Sequence, residues 1–174
     1  KSDNGVLIIW KDQREGNADI YGQILDFDGN LLLGTDGLPI AFGNNDQLNP
    51  SLTYNESESE FMVCWEEFNG VDFNILCRSI DGETLELSEA IIICDDGANQ
   101  KSPDVFSTLD GSYILAWEDS RNSVTSDIFY QRLKNGNFGY QKSYLTGLIH
   151  AQGYAAIQID CDLQDPPELI PNFI

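Results

Sequence analysis

The stretch Phe61-Met62-Val63-Cys64-Trp65-Glu66-Glu67, then Asn74-Ile75-Leu76-Cys77-Arg78, then Asp81-Gly82, decides the fold, because its pattern is written three times. Upstream it reads Ile8-Ile9-Trp10-Lys11-Asp12-Gln13-Arg14, Asp19-Ile20-Tyr21-Gly22-Gln23 and Asp28-Gly29. Downstream it reads Leu115-Ala116-Trp117-Glu118-Asp119-Ser120-Arg121, Asp127-Ile128-Phe129-Tyr130-Gln131 and Asn135-Gly136. All 3 tryptophans of the chain occupy this one position, 55 and 52 residues apart. A second marker keeps the same period: Gln47-Leu48-Asn49-Pro50 and Gln100-Lys101-Ser102-Pro103 stand 53 residues apart. Self-similarity at a fixed period of this size is the mark of a repeat architecture.

Within the middle unit the runs Ser51–Tyr54, Phe61–Trp65, Phe73–Ile80 and Ala90–Cys94 are short and rich in Ile, Val, Phe, Tyr and Trp, as strands are. Asn55–Glu60, Asn69-Gly70, Asp81-Gly82 and Asp95-Asp96-Gly97 separate them, and Asn-Gly or Asp-Gly supplies the positive φ of a tight hairpin. Each Pro opens a strand-like run, one of its few places in a sheet. No stretch before about residue 137 carries a capped 3.6-residue apolar period. The fold class expected is all-β, with about three incomplete four-stranded antiparallel units at about 1–46, 47–99 and 100–136. With the strands of a unit lettered a to d, the chain opens on b near Val6–Trp10 and runs b-c-d, a-b-c-d, a-b-c.

Four strands in some fifty residues is the grammar of a β-propeller blade. The pattern Trp-x-Asp-x-Arg, Asp-Ile-Tyr-x-Gln, Asp-Gly, Gln-x-x-Pro over residues 5–136 resembles the blade repeats of secreted bacterial and archaeal β-propeller proteins. The middle unit departs from it, with Glu67-Phe68-Asn69 for Asp-x-Arg and Asn74 for Asp. The resemblance implies a non-catalytic extracellular or cell-surface binding module with a protein or carbohydrate ligand. It also implies structural roles for Trp10, Asp12, Arg14, Trp65, Trp117, Asp119 and Arg121: Trp packed between units, Asp/Arg locking the turn after strand b. Three units are fewer than the four to eight of a usual ring. A fragment, a homo-oligomer completing a ring, or a section of an open array is expected.

After Gly136 the repeat stops. Gln141–Gln152 reads as a helix ended by Gly153, Ala155–Ile159 as a buried strand, and Pro166-Pro167 as the start of a second helix. That is α/β grammar, and residues 137–174 form a separate C-terminal segment, which suggests a composite sequence. The run Asp160-Cys161-Asp162-Leu163-Gln164-Asp165-Pro166-Pro167-Glu168-Leu169 resembles the centre of glycosyltransferase family 2, of the dolichyl-phosphate-sugar synthase type. The resemblance implies that Asp160 and Asp162, with Gln164 nearby, hold Mg²⁺ or Mn²⁺ against a nucleotide-sugar diphosphate. A hard divalent cation takes carboxylate oxygens together with substrate phosphates. A fragment of such a metal-dependent transferase is the alternative function.

Composition narrows the rest. The 174 residues hold 9 Lys+Arg against 29 Asp+Glu, a net charge of −20. A nucleic acid or an anionic membrane repels such a surface. Residues 1–136 carry −17 of that charge, and three of the four tail acids cluster at Asp160, Asp162 and Asp165. The charge invites divalent cations such as Ca²⁺, and Asp26-Phe27-Asp28-Gly29-Asn30 partly resembles a calcium loop. It lacks a distal bidentate Glu and is read as a hairpin turn. No apolar run is long enough to span a bilayer. Cys64, Cys77 and Cys94 lie in apolar runs and read as buried hydrophobes, with a Cys64–Cys77 bridge left open. The only histidine, His150, supports no Ser-His-Asp set. Asn55-Glu56-Ser57 is a formal glycosylation acceptor.

Overall fold

A computed structural model describes residues 5–122 and 125–134. Among them there are ten strands and no helix. In chain order these are β1 (Val6–Asp12), β2 (Asp19–Leu25), β3 (Leu38–Ala41), β4 (Gln47–Asn55), β5 (Glu60–Phe68), β6 (Phe73–Asp81), β7 (Ile91–Cys94), β8 (Gln100–Ser107), β9 (Tyr113–Asp119) and β10 (Asp127–Leu133). They form three antiparallel sheets, ordered β1-β2-β3, β4-β5-β6-β7 and β10-β9-β8. The phase is the one the repeat implies: b-c-d, then a-b-c-d, then a-b-c. The tail helices, the tail strand and His150 fall outside the described residues.

The four-stranded sheet lies between the other two. On one side Phe61, Val63, Trp65 and Ile80 pack against Leu7, Ile20, Ile24, Ile40 and Ala41 of the first sheet. On the other side Met62, Cys64, Ile75, Cys77, Ile93 and Cys94 meet Val105, Tyr113, Leu115, Trp117, Phe129 and Leu133 of the third. Successive side chains of a strand point to opposite faces. Because both faces of β5 are covered, it needs an unbroken apolar run, and Phe61–Trp65 is buried throughout.

Two turn expectations need correction. Pro50 and Pro103 do not open strands; they sit inside β4 and β8. Each follows a residue of positive φ, Asn49 (48°) and Ser102 (53°), where the register with β5 or β9 shifts. A bulge on an edge strand leaves a residue outside the ladder, so the missing N–H of Pro costs no bond there. In the turn after β6, Leu85 carries the positive φ (62°) and Gly82 does not. Gly82 is needed for room instead, since a Cβ there would stand 2.5 Å from the Ser59 carbonyl oxygen.

Candidate functional site

The repeat markers form a recurring clamp at the end of each unit's b strand. Trp10 Nε1 donates to Asp12 Oδ2 (3.0 Å), Trp65 Nε1 to Glu67 Oε2 (3.1 Å) and Trp117 Nε1 to Asp119 Oδ2 (3.2 Å). Positions i and i+2 of a strand share a face, which brings the acid to the edge of the indole. In the first and third units an Arg two residues further on closes the clamp. Its backbone N–H caps one carboxylate oxygen, at 2.9 Å for Arg14 and 3.0 Å for Arg121. The guanidinium binds the other, at 2.6 Å from Arg14 to Asp12 and 2.5 Å from Arg121 to Asp119. Each guanidinium also lies over a ring of the next strand, Tyr21 at 4.2 Å and Phe129 at 4.3 Å. The middle unit has no Arg here. Asn69 makes the turn instead, accepting from the N–H groups of Val71 and Asp72.

The two complete clamps differ in setting. The Asp12 side chain is 14% exposed, while that of Asp119 is 0% exposed. Arg121 spans two sheets, reaching Asp96 Oδ2 at 2.5 Å and the Cys94 sulfur at 3.1 Å. Burial alone pushes the Asp119 carboxyl up, but hydrogen bonds from Arg121 and Trp117 outweigh it and hold the group below its ordinary value. Asp12 is held down chiefly by the Arg14 side chain, with little burial to oppose it. Burial pushes the Cys94 thiol up, and the nearby Arg121 offsets only part of that.

Sequence reasoning did not foresee the polar links between sheets. Glu66 is 1% exposed and accepts from Asn49 Nδ2 (2.7 Å) and from the Ser102 N–H (2.6 Å), so one carboxylate joins the bulges of two units. Tyr113 donates its hydroxyl to Glu60 Oε1 (2.6 Å), and burial followed by that bond raises the phenol. The one sequence signal for such links was the Gln-x-x-Pro marker. Gln47 Nε2 donates to the Asn45 carbonyl and Gln100 Nε2 to the Ala98 carbonyl, both at 2.8 Å, closing the loop before each a strand.

The remaining candidates take ordinary structural positions. Asp26 accepts the N–H groups of Asp28 (2.9 Å) and Asn30 (2.8 Å) and the Asn30 amide, so its oxygens fold a turn. Among the described residues no group of three or more His, Cys, Asp and Glu is arranged to hold a metal ion. Asn55, first residue of the formal acceptor motif, is buried, donates to the Gly111 carbonyl and accepts from Ser57, so its amide is engaged within the fold. Cys64 and Cys77 face each other across β5 and β6 and are disulfide-bonded, while Cys94 is free and buried. Asp160, Asp162 and Gln164 lie outside the described residues. No described helix is long and apolar enough to cross a membrane.

No family model matches the chain. It is 30% identical over 104 residues to an undecaprenyl-phosphate 4-deoxy-4-formamido-L-arabinose transferase of Pseudomonas aeruginosa, covering 57% of this chain and 26% of that protein. Over 38 residues it is 55% identical to the uncharacterized glycosyltransferase YkcC of Bacillus subtilis, covering 22% of this chain and 12% of the relative. The chain thus spans about a quarter of the length of the curated transferases it first matches. A match of 104 residues is longer than segment 137–174, so it reaches into the β region too. Among solved structures, a protein of unknown function from Dyadobacter fermentans aligns over 76% of this chain and 36% of its own, with a TM-score of 0.54 and 10% identity. The first similarity is a partial, coarse relation to glycosyltransferases; the second concerns the fold of the β region alone.

Proposed function

We propose that residues 5–134 are a non-catalytic binding module made of β-propeller-type blades, working outside the cell or at its surface on a protein or carbohydrate ligand. The observation that carries this is the use of the repeat's own polar residues. The acids and guanidiniums of the Trp10 and Trp117 clamps are spent on turns and sheet-to-sheet contacts, which leaves loops and sheet ends as the recognition surface. The Cys64–Cys77 bridge supports an oxidising compartment.

A second reading draws more directly on the comparisons. The partial similarity to glycosyltransferases supports residues 137–174 as a fragment of a metal-dependent family 2 transferase that uses a nucleotide-sugar donor. Asp160, Asp162 and Gln164 offer hard oxygen donors, which suit Mg²⁺ or Mn²⁺. Circular dichroism with a thermal-shift assay on the full chain separates the two. The module reading expects a β-dominated spectrum and an unchanged melting temperature on adding UDP- or GDP-sugar with Mn²⁺. A shift of a few degrees that depends on both sugar nucleotide and metal, and vanishes in Asp160→Asn, favours the transferase and defeats the module as the whole account.

A further inference from the structure

In the middle unit Glu67-Phe68-Asn69 stands where the other units place Asp-x-Arg, and Gly70 makes the last of these residues an Asn-Gly step. The chain has three Asn-Gly steps, and Asn69-Gly70 is the one with both residues described. β5 and β6 run one pair further than their counterparts, to Phe68 opposite Phe73, so only Asn69–Asp72 are left for the turn. In the first and third units the same turn spans 13–18 and 120–126.

The short turn sets the step out in the open. Asn69 and Gly70 are exposed, and Val71 is 86% exposed. Gly70 has a φ of 101°, and a Cβ there would meet nothing within 4 Å, so conformation and not space reserves the position for Gly.

The Asn69 amide is held at both ends. Its Oδ1 accepts from the N–H groups of Val71 (2.8 Å) and Asp72 (3.0 Å), and its Nδ2 donates to Asp72 Oδ1. The Gly70 N–H between them in sequence makes no bond to any described residue. Its nitrogen and Asn69 Cγ are the two atoms whose bonding closes a five-membered ring. Two N–H donors on an amide oxygen stabilise the negative charge that grows there as a nucleophile adds to its carbon.

We infer that Asn69-Gly70 is a modification site, at which the middle hairpin deamidates through a cyclic imide. The Gly70 nitrogen, its proton lost to hydroxide, adds to Asn69 Cγ. The Cγ–Nδ2 bond breaks, and Nδ2 leaves as ammonia with a proton taken from water. Water then opens the imide at either carbonyl. Opening at Cγ gives aspartate; opening at the backbone carbonyl gives isoaspartate, with the chain continuing through Cγ. The only co-reactant is water.

Both products loosen the turn. Each sets a second carboxylate beside Asp72, where Asn69 had donated. Isoaspartate also lengthens the main chain by one atom between Phe68 and Phe73, which shifts their pairing and parts two rings that lie 5.2 Å apart.

The test ages the full chain at ~37 °C, at about pH 6 and about pH 8.5, and reads its digest by mass spectrometry with an isoaspartate assay. Asn69 is expected to gain water and lose ammonia before any other described Asn, faster at the higher pH because Gly70 must give up a proton. Isoaspartate then appears at position 69. Unfolded in ~8 M urea, the chain reacts at Asn69 no more than about tenfold faster, since folding leaves the step exposed. The aged chain melts a few degrees below the fresh one. Asn69→Ser keeps a turn-forming oxygen without the reactive amide, so its melting temperature holds over the same time. An Asn69 that reacts more than about tenfold slower folded than in urea overturns the inference. So does another described Asn that converts first, or an Asn69→Ser chain whose melting temperature falls as far as the parent's.

Discussion

Asp119 and Asp12 hold the same position in the repeat and accept from the same kinds of donor, yet they are not equivalent. Asp119 is wholly buried and shares Arg121 with Asp96, whereas Asp12 is only partly buried and Arg14 is exposed. Breaking a buried pair leaves an uncompensated charge, which is far costlier than losing a surface pair. Asp119→Asn is therefore expected to cost roughly 3 kcal/mol of unfolding free energy, because Arg121 loses a fixed buried partner. Asp12→Asn is expected to cost clearly less. Urea denaturation of the two variants checks the order, and equal losses would show that the clamp works the same way buried or exposed. Cys64 and Cys77 make a separate case. They close a loop with a sequence separation of 13, for which the constraint on the unfolded chain amounts to about 3 kcal/mol. Reduction is expected to lower the melting temperature of the parent chain by several degrees and to leave a Cys64→Ala/Cys77→Ala variant unmoved. Because Cys94 is free, a drop in that variant would assign the effect to something other than the bridge.

At the scale of elements, Glu66 ties the bulge of β4 to that of β8. Glu66→Ala removes the buried acceptor shared by the Ser102 N–H and the Asn49 amide, and each charge-assisted bond lost is worth about 2 kcal/mol. The variant is expected to lose roughly 2–4 kcal/mol by urea denaturation, and amide exchange of Ser102 should rise more than that of Leu115 in mid-strand. Unchanged exchange at Ser102 would mean that the bulge holds itself. The bulges also show what the sequence could and could not tell. Strand existence and order were readable because apolar runs alternate with Asn-Gly and Asp-Gly turns, and Trp and Gln-x-x-Pro keep one period. The middle sheet's burial on both sides was readable from the unbroken run Phe61–Trp65. Pro50 and Pro103 misled, since a Pro beginning a strand and a Pro following a bulge look the same in one dimension. The bridge was not readable either, because Cys64 and Cys77 become neighbours only once the register of β5 and β6 is set. Asn55 opens a formal acceptor motif by its letters, and only the fold shows its amide held by a contact 56 positions away.

At the scale of the whole molecule, 29 acids face 9 bases, and the described ion pairs occupy only Arg14, Arg121 and Arg132. Most carboxylates therefore meet like charges, and compactness is opposed by self-repulsion. Two electrostatic effects then pull in opposite directions as pH falls. Above the carboxylate range, protonation toward the pI of about 4.1 relieves repulsion and stabilises the fold. Asp12, Asp26, Asp81, Asp110 and Asp119 are all held below their ordinary value by hydrogen bonds, and Asp110 lies at about 2. A carboxyl lowered by folding lends stability above its unfolded pKa, which is lost as pH falls through the folded one. The loss therefore starts just under pH 4 and runs to about pH 2. The melting temperature should rise by a few degrees from pH 8 to about 5, pass a maximum, and fall steeply below about 4. Raising NaCl from ~20 mM to ~500 mM at pH 8 should reproduce most of that rise, since screening and protonation relieve the same repulsion. At pH 3 added salt should recover little, because protonating the carboxylates removes these short-range bonds and screening does not restore them. A melting temperature that falls steadily from pH 8 to 5, or that ignores salt at pH 8, would show that the acidic surface does not strain the fold.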